Sequence, residues 1–238
     1  PAVQQYLIDT FWKVNETSDF SKNPIKVMFL DIETYSPDEF PNPQDPTHTC
    51  NVITCFDSLN RHYHTFGLGE FNNKDTDVTY VKCSSERELF MKFIEYVEKD
   101  YPDIMSGWNS EFFDLPYILN RCTRILGEEW TNRISPSGKV YSRTIRGQFG
   151  QEQQRWYVEG ISLIDYLDVY KRFSVGVKES YKLDAIGEAE LGEKKVDFGN
   201  MNLATLADTD WQTFVEYNIQ DVRLLTNLED KLKYTELI

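Results

Sequence analysis

The chain has few of the residues that would mark it as secreted, zinc-bound or membrane-embedded. Its four cysteines, Cys50, Cys55, Cys83 and Cys122, include no C-x-x-C pair and no zinc spacing. They therefore read as reduced, mostly buried thiols rather than as a disulfide framework. No stretch approaches the roughly 18 to 20 apolar residues of a membrane span, and neither end carries a basic segment leading into an apolar run. A soluble, cytoplasmic protein with no membrane partner is expected. Positive charge is also scarce: 25 Lys+Arg face 39 Asp+Glu, a net −14, which on its face disfavours a nucleic-acid partner. The deficit is uneven. Between Leu115 and Leu183, 11 Lys+Arg stand against 7 Asp+Glu, a local +4 that leaves −18 for the remainder. That permits a basic wall beside an acidic site, and scattered solvated charge explains it equally well.

What is present supports one sizeable core: 238 residues, 40% hydrophobic and 14% aromatic, with no repeat or low-complexity segment. Residues 1–24, with a short apolar-periodic piece from Tyr6 to Trp12, read as an appendage to a principal domain spanning 25–238. Lys26–Ile32 is a short apolar run of the kind a central strand shows, and the turn-rich segment Ser36–Pro46 follows it. Asn51–Phe56 and His62–Phe66 complete a three-strand meander. Ser85 and Glu88 form a capping box ahead of a helix over Glu86–Lys99. Asp103–Trp108 is the next strand. A second helix runs from Leu115 to Leu126 with Asp114 as its N-cap, Pro116 in its first turn and Gly127 past its end. Lys139–Val158 reads as a long β-hairpin with its tip at Gly147–Gly150, Ile161–Ile164 as a strand, and Asp165–Arg172 and Leu183–Leu191 as helices. Thr209 with Gln212 caps a last helix from Trp211 to Lys233. This order specifies an α/β fold, a mixed sheet covered by helices. The chain opens on Pro1 and stops in a helix-like run, Glu229–Ile238, which is compatible with a fragment of something larger as well as with a short natural protein.

Asp31 and Glu33 stand two apart at the end of the first strand and so project from one face. Paired carboxylates at the end of an apolar run are costly unless a cation joins them, and hard oxygen ligands suit Mg²⁺ or Mn²⁺. Taken alone, the pair reads more readily as a strand end in water. Tyr217 and Asp221, four apart in the last helix, share one face, and packing produces that spacing too. Asp114 has a sufficient structural reason in capping its helix.

The combination in chain order is more specific. Asp31-Ile-Glu-Thr on a first strand, Gly107-Trp-Asn-Ser-Glu-Phe-Phe-Asp114 before a helix, and Tyr217-x-x-x-Asp221 inside a late helix resemble the Exo I, II and III motifs of the proofreading exonuclease in family B DNA polymerases, a branch of the DEDD superfamily. The similarity extends over Asp31–Pro43, Gly107–Arg121, Ile134–Val140, Ser162–Phe173 and Ser180–Leu191, which resemble the polymerases of large myophages. It implies an RNase H-like fold and hydrolysis of DNA from the 3′ end with two divalent ions. Asp31, Glu33 and Asp221 would bind one ion with Asp31 bridging, and Asp114 would support the second, largely through water. Tyr217 would orient the attacking water, placing the chain in the tyrosine branch; His48, His62 and His64 all lie too far upstream to take that position.

The resemblance further implies that Asn109 and Phe112 hold the unpaired 3′ end, that Phe40 wedges between bases, and that the hairpin, with Lys139, Arg143, Arg146 and Arg155 on its flank, helps separate the strands. Core packing of Phe40 and Phe112 and a merely solvated hairpin remain alternatives. The implied partners are a single-stranded or frayed DNA 3′ end and polymerase domains of the same or a companion chain, with the isolated chain monomeric and residues 1–24 a remnant of a polymerase N-terminal domain. If the chain is phage-encoded, it would act in the host cytoplasm. Asp208-Thr-Asp210 imitates a polymerase palm motif but precedes the Exo III segment and is followed by Trp211, so it is rejected. A non-catalytic nucleic-acid-binding module, or an RNA exonuclease, on the same fold is the competing reading.

Overall fold

The apolar run that opens the principal domain becomes the centre of a six-stranded sheet in a computed structural model, which describes residues 9–10, 24–35, 40–146, 152–192 and 203–237. Strand β1 (Val27–Thr34) pairs antiparallel with β2 (Cys50–Asp57), and β2 pairs antiparallel with β3 (His62–Gly67). These three form the expected meander. A fourth strand, β4 (Val78–Lys82), lies parallel to β3; at five residues it carries too little pattern to register in the sequence. On the other side of β1 runs β5 (Ile104–Gly107), parallel to it. The hairpin strands β6 (Val140–Arg146) and β7 (Glu152–Val158) form a separate two-stranded sheet whose tip lies outside the described residues. Last, β8 (Ser162–Asp165) pairs parallel with β5, giving the order β4-β3-β2-β1-β5-β8.

Alternation along β1 sorts its side chains between two cores. Met28, Leu30 and Ile32 pack with α1 (Glu86–Lys99) and α2 (Asp114–Leu126), and the short α3 (Glu128–Asn132) follows α2. Val27 and Phe29 enter the opposite core, built from α4 (Tyr166–Phe173), α5 (Leu183–Leu191), α6 (Leu203–Thr209) and α7 (Trp211–Leu232). Phe214, Val215, Ile219, Val222, Leu225 and Leu228 supply the buried stripe of α7 at helical spacing. Asp31 and Glu33 continue the odd-numbered series and so fall on the face that α7 covers. Because β1, β5 and β8 are mutually parallel, their carboxyl ends and the loops that follow gather at one edge of the sheet.

Several local expectations need correction. Ser85 caps α1, its hydroxyl accepting from the Glu88 N–H, but Glu88 returns to the N–H and hydroxyl of Ser84 instead of Ser85. Asp114 does not cap α2. It is the first helical residue, Phe113 holds the cap position without a side-chain bond, and the Asp114 carboxylate accepts from the Ile32 N–H at 3.2 Å. Asp210, not Thr209, caps α7 by accepting from the N–H and hydroxyl of Thr213, while Gln212 exchanges bonds with the Asn72 backbone. The chain after α7 turns at Lys233 into a 3₁₀ segment, Tyr234–Leu237, rather than continuing as α-helix. The four cysteines are buried and unbridged, as expected. Apart from residues 9 and 10 and Pro24, the amino-terminal appendage, with most of its Tyr6–Trp12 piece, lies outside the described residues, as does 36–39 of the turn-rich segment.

Candidate active site

The end of β1 meets the middle of α7 at a group of carboxylates. Asp31, Glu33 and Asp221 each offer a ligand oxygen, and these atoms all lie within 4.8 Å of one another. Three like charges so close repel, and the arrangement is relieved by a cation or by protons. The donor set is entirely carboxylate oxygen, with no imidazole or thiolate, which fits a hard divalent ion. Tyr217 lies one turn before Asp221 on α7 and is partly buried.

Asp114 is not part of that trio. It is buried, and the Ile32 N–H that it accepts from belongs to the residue between Asp31 and Glu33, so it braces the strand that carries them. Burial pushes its carboxyl up to about 7; Asp165 and Asp221 add to the shift, and the Ile32 N–H opposes it. Asn218 adds a contact that was not expected. Fully buried on α7, it donates from Nδ2 to Asp31 Oδ2 at 2.7 Å.

Residues 4–186 match the exonuclease domain of DNA polymerase family B. This chain belongs to that family. It is 30% identical over 257 residues to a DNA-directed DNA polymerase of Escherichia phage RB69 and 29% identical over 259 residues to that of Enterobacteria phage T4, covering 98% of this chain in both cases. A DNA polymerase of Thermococcus aggregans is 27% identical over 94% of the chain. The chain spans 28% of the length of the two phage relatives. The mixed sheet flanked by helices is the RNase H-like fold of this exonuclease family. Among the described residues, no helix is long and apolar enough to cross a membrane.

In this exonuclease domain the loop from Gly107 to Asp114 is clasped from β8. Asp165 accepts from the N–H groups of Asn109 (3.0 Å), Glu111 (3.2 Å) and Leu167 (2.9 Å), so one carboxylate both caps α4 and holds the loop. Asn109 is thereby kept at φ 65°, a left-handed conformation that asparagine tolerates better than most residues. Phe112, further along the loop, is 43% exposed, and Phe40 is 83% exposed with its ring centroid 5.4 Å from that of Phe113. Neither is a core residue. A cavity of about 720 Å³ reaches Phe112, Asp165 and the hairpin residues Ile145 and Arg155, but none of the three clustered carboxylates.

The basic wall is thinner than the count of charges implies. Arg121, Arg124, Arg133, Lys139, Arg155 and Lys178 sit in ion pairs with Glu86, Asp45, Glu98, Glu159, Glu111 and Glu190. Arg143 instead lies over Tyr141 and Tyr157, at 5.2 and 5.6 Å, and these two rings stack on each other at 5.2 Å. Arg143 and Arg146 are both exposed. Asp208 accepts from the Tyr35 hydroxyl at 3.0 Å and Asp210 caps α7, so the palm-like triplet serves the fold.

Burial raises the Asp165 carboxyl to about 6, against the pull of its three N–H donors. An acid whose folded pKa exceeds its unfolded value of 3.8 stabilises the fold fully below that value and loses the contribution as pH rises through about 6. Chemical denaturation between pH 4 and 6 should therefore show Asp165→Asn with a shallower fall in stability than wild type, by up to about 1.4 kcal/mol per pH unit. Parallel curves for the two proteins would contradict the assignment.

Proposed function

We propose that this chain is a 3′-to-5′ DNA exonuclease, the editing module of a phage-type replicative polymerase. The observation that carries the proposal is the convergence of Asp31, Glu33 and Asp221 within 4.8 Å in a chain of this family. Those three would hold one divalent ion, Mg²⁺ or Mn²⁺, and Asp114 would support a second, largely through water. Such ions, when bound, lower the pKa of attacking water and neutralise charge on the leaving 3′ oxygen. The chain's own work is placement. The Asp165 clasp presents Asn109 and Phe112 to the unpaired terminus, and the exposed Phe40 is available to stack on a base, a sequence-tolerant contact. The Tyr141–Tyr157 stack with Arg143 gives the hairpin a face for the strand, and the exposed Arg146 at the end of β6 would add a phosphate contact. With six cations of the central region already paired, phosphate attraction is weak, so the isolated domain relies on polymerase domains, in the same or a companion chain, to deliver the end. Residues 1–24 would belong to such a neighbouring domain, with 25–238 as the exonuclease, acting as a monomer in the host cytoplasm.

The test is a time course on 5′-labelled single-stranded DNA with Mg²⁺ or Mn²⁺, beside the same DNA with a blocked 3′ end and an RNA of matching sequence. A ladder shortening from the 3′ end, absent on the blocked strand and slow on RNA, is expected; cleavage without added metal, or of RNA in preference, would overturn the proposal. In the same assay Tyr217→Phe should lower the single-turnover rate roughly ten- to a hundredfold, because it removes the hydroxyl that orients water and leaves the carboxylates in place. Unchanged rates would remove Tyr217 from the site.

A further inference from the structure

Asn218 is fully buried on α7 among Phe214, Val215, Ile219 and Val222. Its Nδ2 reaches Asp31 Oδ2 at 2.7 Å, while its Oδ1 is buried with no hydrogen-bond partner among the described residues. A half-satisfied amide in an apolar setting is costly, and a leucine of similar size would fill the place without leaving an acceptor unpaired. The amide therefore has to be explained by what its single bond does. We infer that Asn218 is a positioning residue for the metal site, fixing the rotation of the Asp31 carboxylate and the distance between β1 and α7 at the point where Asp31 and Asp221 meet.

The geometry supports this on two counts. Asn218 and Asp221 are three residues apart and so share one face of α7, which makes the bond to Asp31 a tether one turn from the partner ligand. The donor is also neutral. An ammonium in its place would compete with a divalent ion for the three carboxylates, whereas an amide N–H orients one oxygen and leaves the remaining lone pairs to bind. Hydrogen bonds to ligating groups typically change metal affinity by about 10- to 100-fold when removed.

The inference rests on the metal reading of the site, and the experiment separates the two. Mn²⁺ binding to the whole chain without DNA is followed by electron paramagnetic resonance, and thermal unfolding is recorded with and without the ion, for wild type, Asn218→Leu and Asn218→Ala. Asn218→Leu should unfold, metal-free, at the same temperature as wild type or higher, yet bind Mn²⁺ about 10- to 100-fold more weakly. Asn218→Ala, which adds no volume, should show the same loss of affinity and covers the case in which leucine disturbs the fold. Either folded variant binding Mn²⁺ within twofold of wild type overturns the inference and leaves the exonuclease reading standing. A wild-type chain that takes up no Mn²⁺ overturns both.

Discussion

Asp31→Asn should abolish exonuclease activity while leaving the protein folded and, without metal, slightly more stable. The substitution keeps the shape of the side chain, and the new amide oxygen can still accept from Asn218 Nδ2, so the tether between strand and helix survives. What it removes is one of three negative charges whose oxygens lie within 4.8 Å, which relieves repulsion in the metal-free protein and weakens the grip on a cation. Loss of several kcal/mol of charge stabilisation corresponds to about a thousandfold or greater fall in rate. Two measurements check this: single-turnover hydrolysis of labelled single-stranded DNA, and the rise in unfolding temperature that Mg²⁺ or Mn²⁺ produces. An ion bound only by the folded state stabilises it in proportion to the logarithm of its saturation, so wild type should shift upward with metal and Asp31→Asn should not. Retention of both activity and the shift in the variant would remove Asp31 from the site.

Much of this site was readable in the sequence because its signals are local and periodic. Asp31 and Glu33 stand two apart on a strand, so alternation alone places both on one side of the sheet, and the structure adds only that α7 covers that side. Tyr217 and Asp221 are four apart on a helix for the same kind of reason. The failures are long-range. Asp114 stands where an N-cap would, and nothing nearby distinguishes a carboxylate that caps its own helix from one that turns to the Ile32 N–H, 82 residues earlier. Asn218 sits inside the Tyr217 to Asp221 segment and passes as a neutral spacer until its contact 187 residues away is seen. Asp165 was visible as the start of a helix, and its grip on Asn109 and Glu111 depends on β8 lying beside β5, a pairing that no local pattern announces.

The charge balance shows the same division. A local excess of cations is a property of the sequence, but whether it forms a surface that phosphates can reach depends on which acids fold against it. Glu86 shows how completely that can cancel: it takes two bonds from Arg121 and one from the Cys50 N–H, leaving neither charge to act at a distance. The hairpin keeps Arg143 because its neighbours there are tyrosine rings rather than carboxylates.

Gly107→Ala should damage both stability and activity, although residue 107 bears no functional group. A Cβ at this position would come within 2.6 Å of the Leu30 carbonyl oxygen and 2.8 Å of the Ser110 Cβ. The first contact is backbone, and it belongs to the residue immediately before Asp31, so relief requires β5 to move away from β1 at the site itself. The second pushes on the loop that carries Asn109 and Phe112. Overpacking of this kind costs about 1 to 3 kcal/mol, and a displacement near 1 Å at a catalytic centre costs on the order of a hundredfold in rate. Gly187→Ala is the matching control: its Cβ would meet the Leu224 side chain, at 2.6 Å, on α7 below the site. Both variants should lose stability in denaturant, but only Gly107→Ala should lose turnover per folded molecule at saturating metal. Equal turnover in the two would mean that the close approach of β5 to β1 serves packing alone and does not set the position of Asp31.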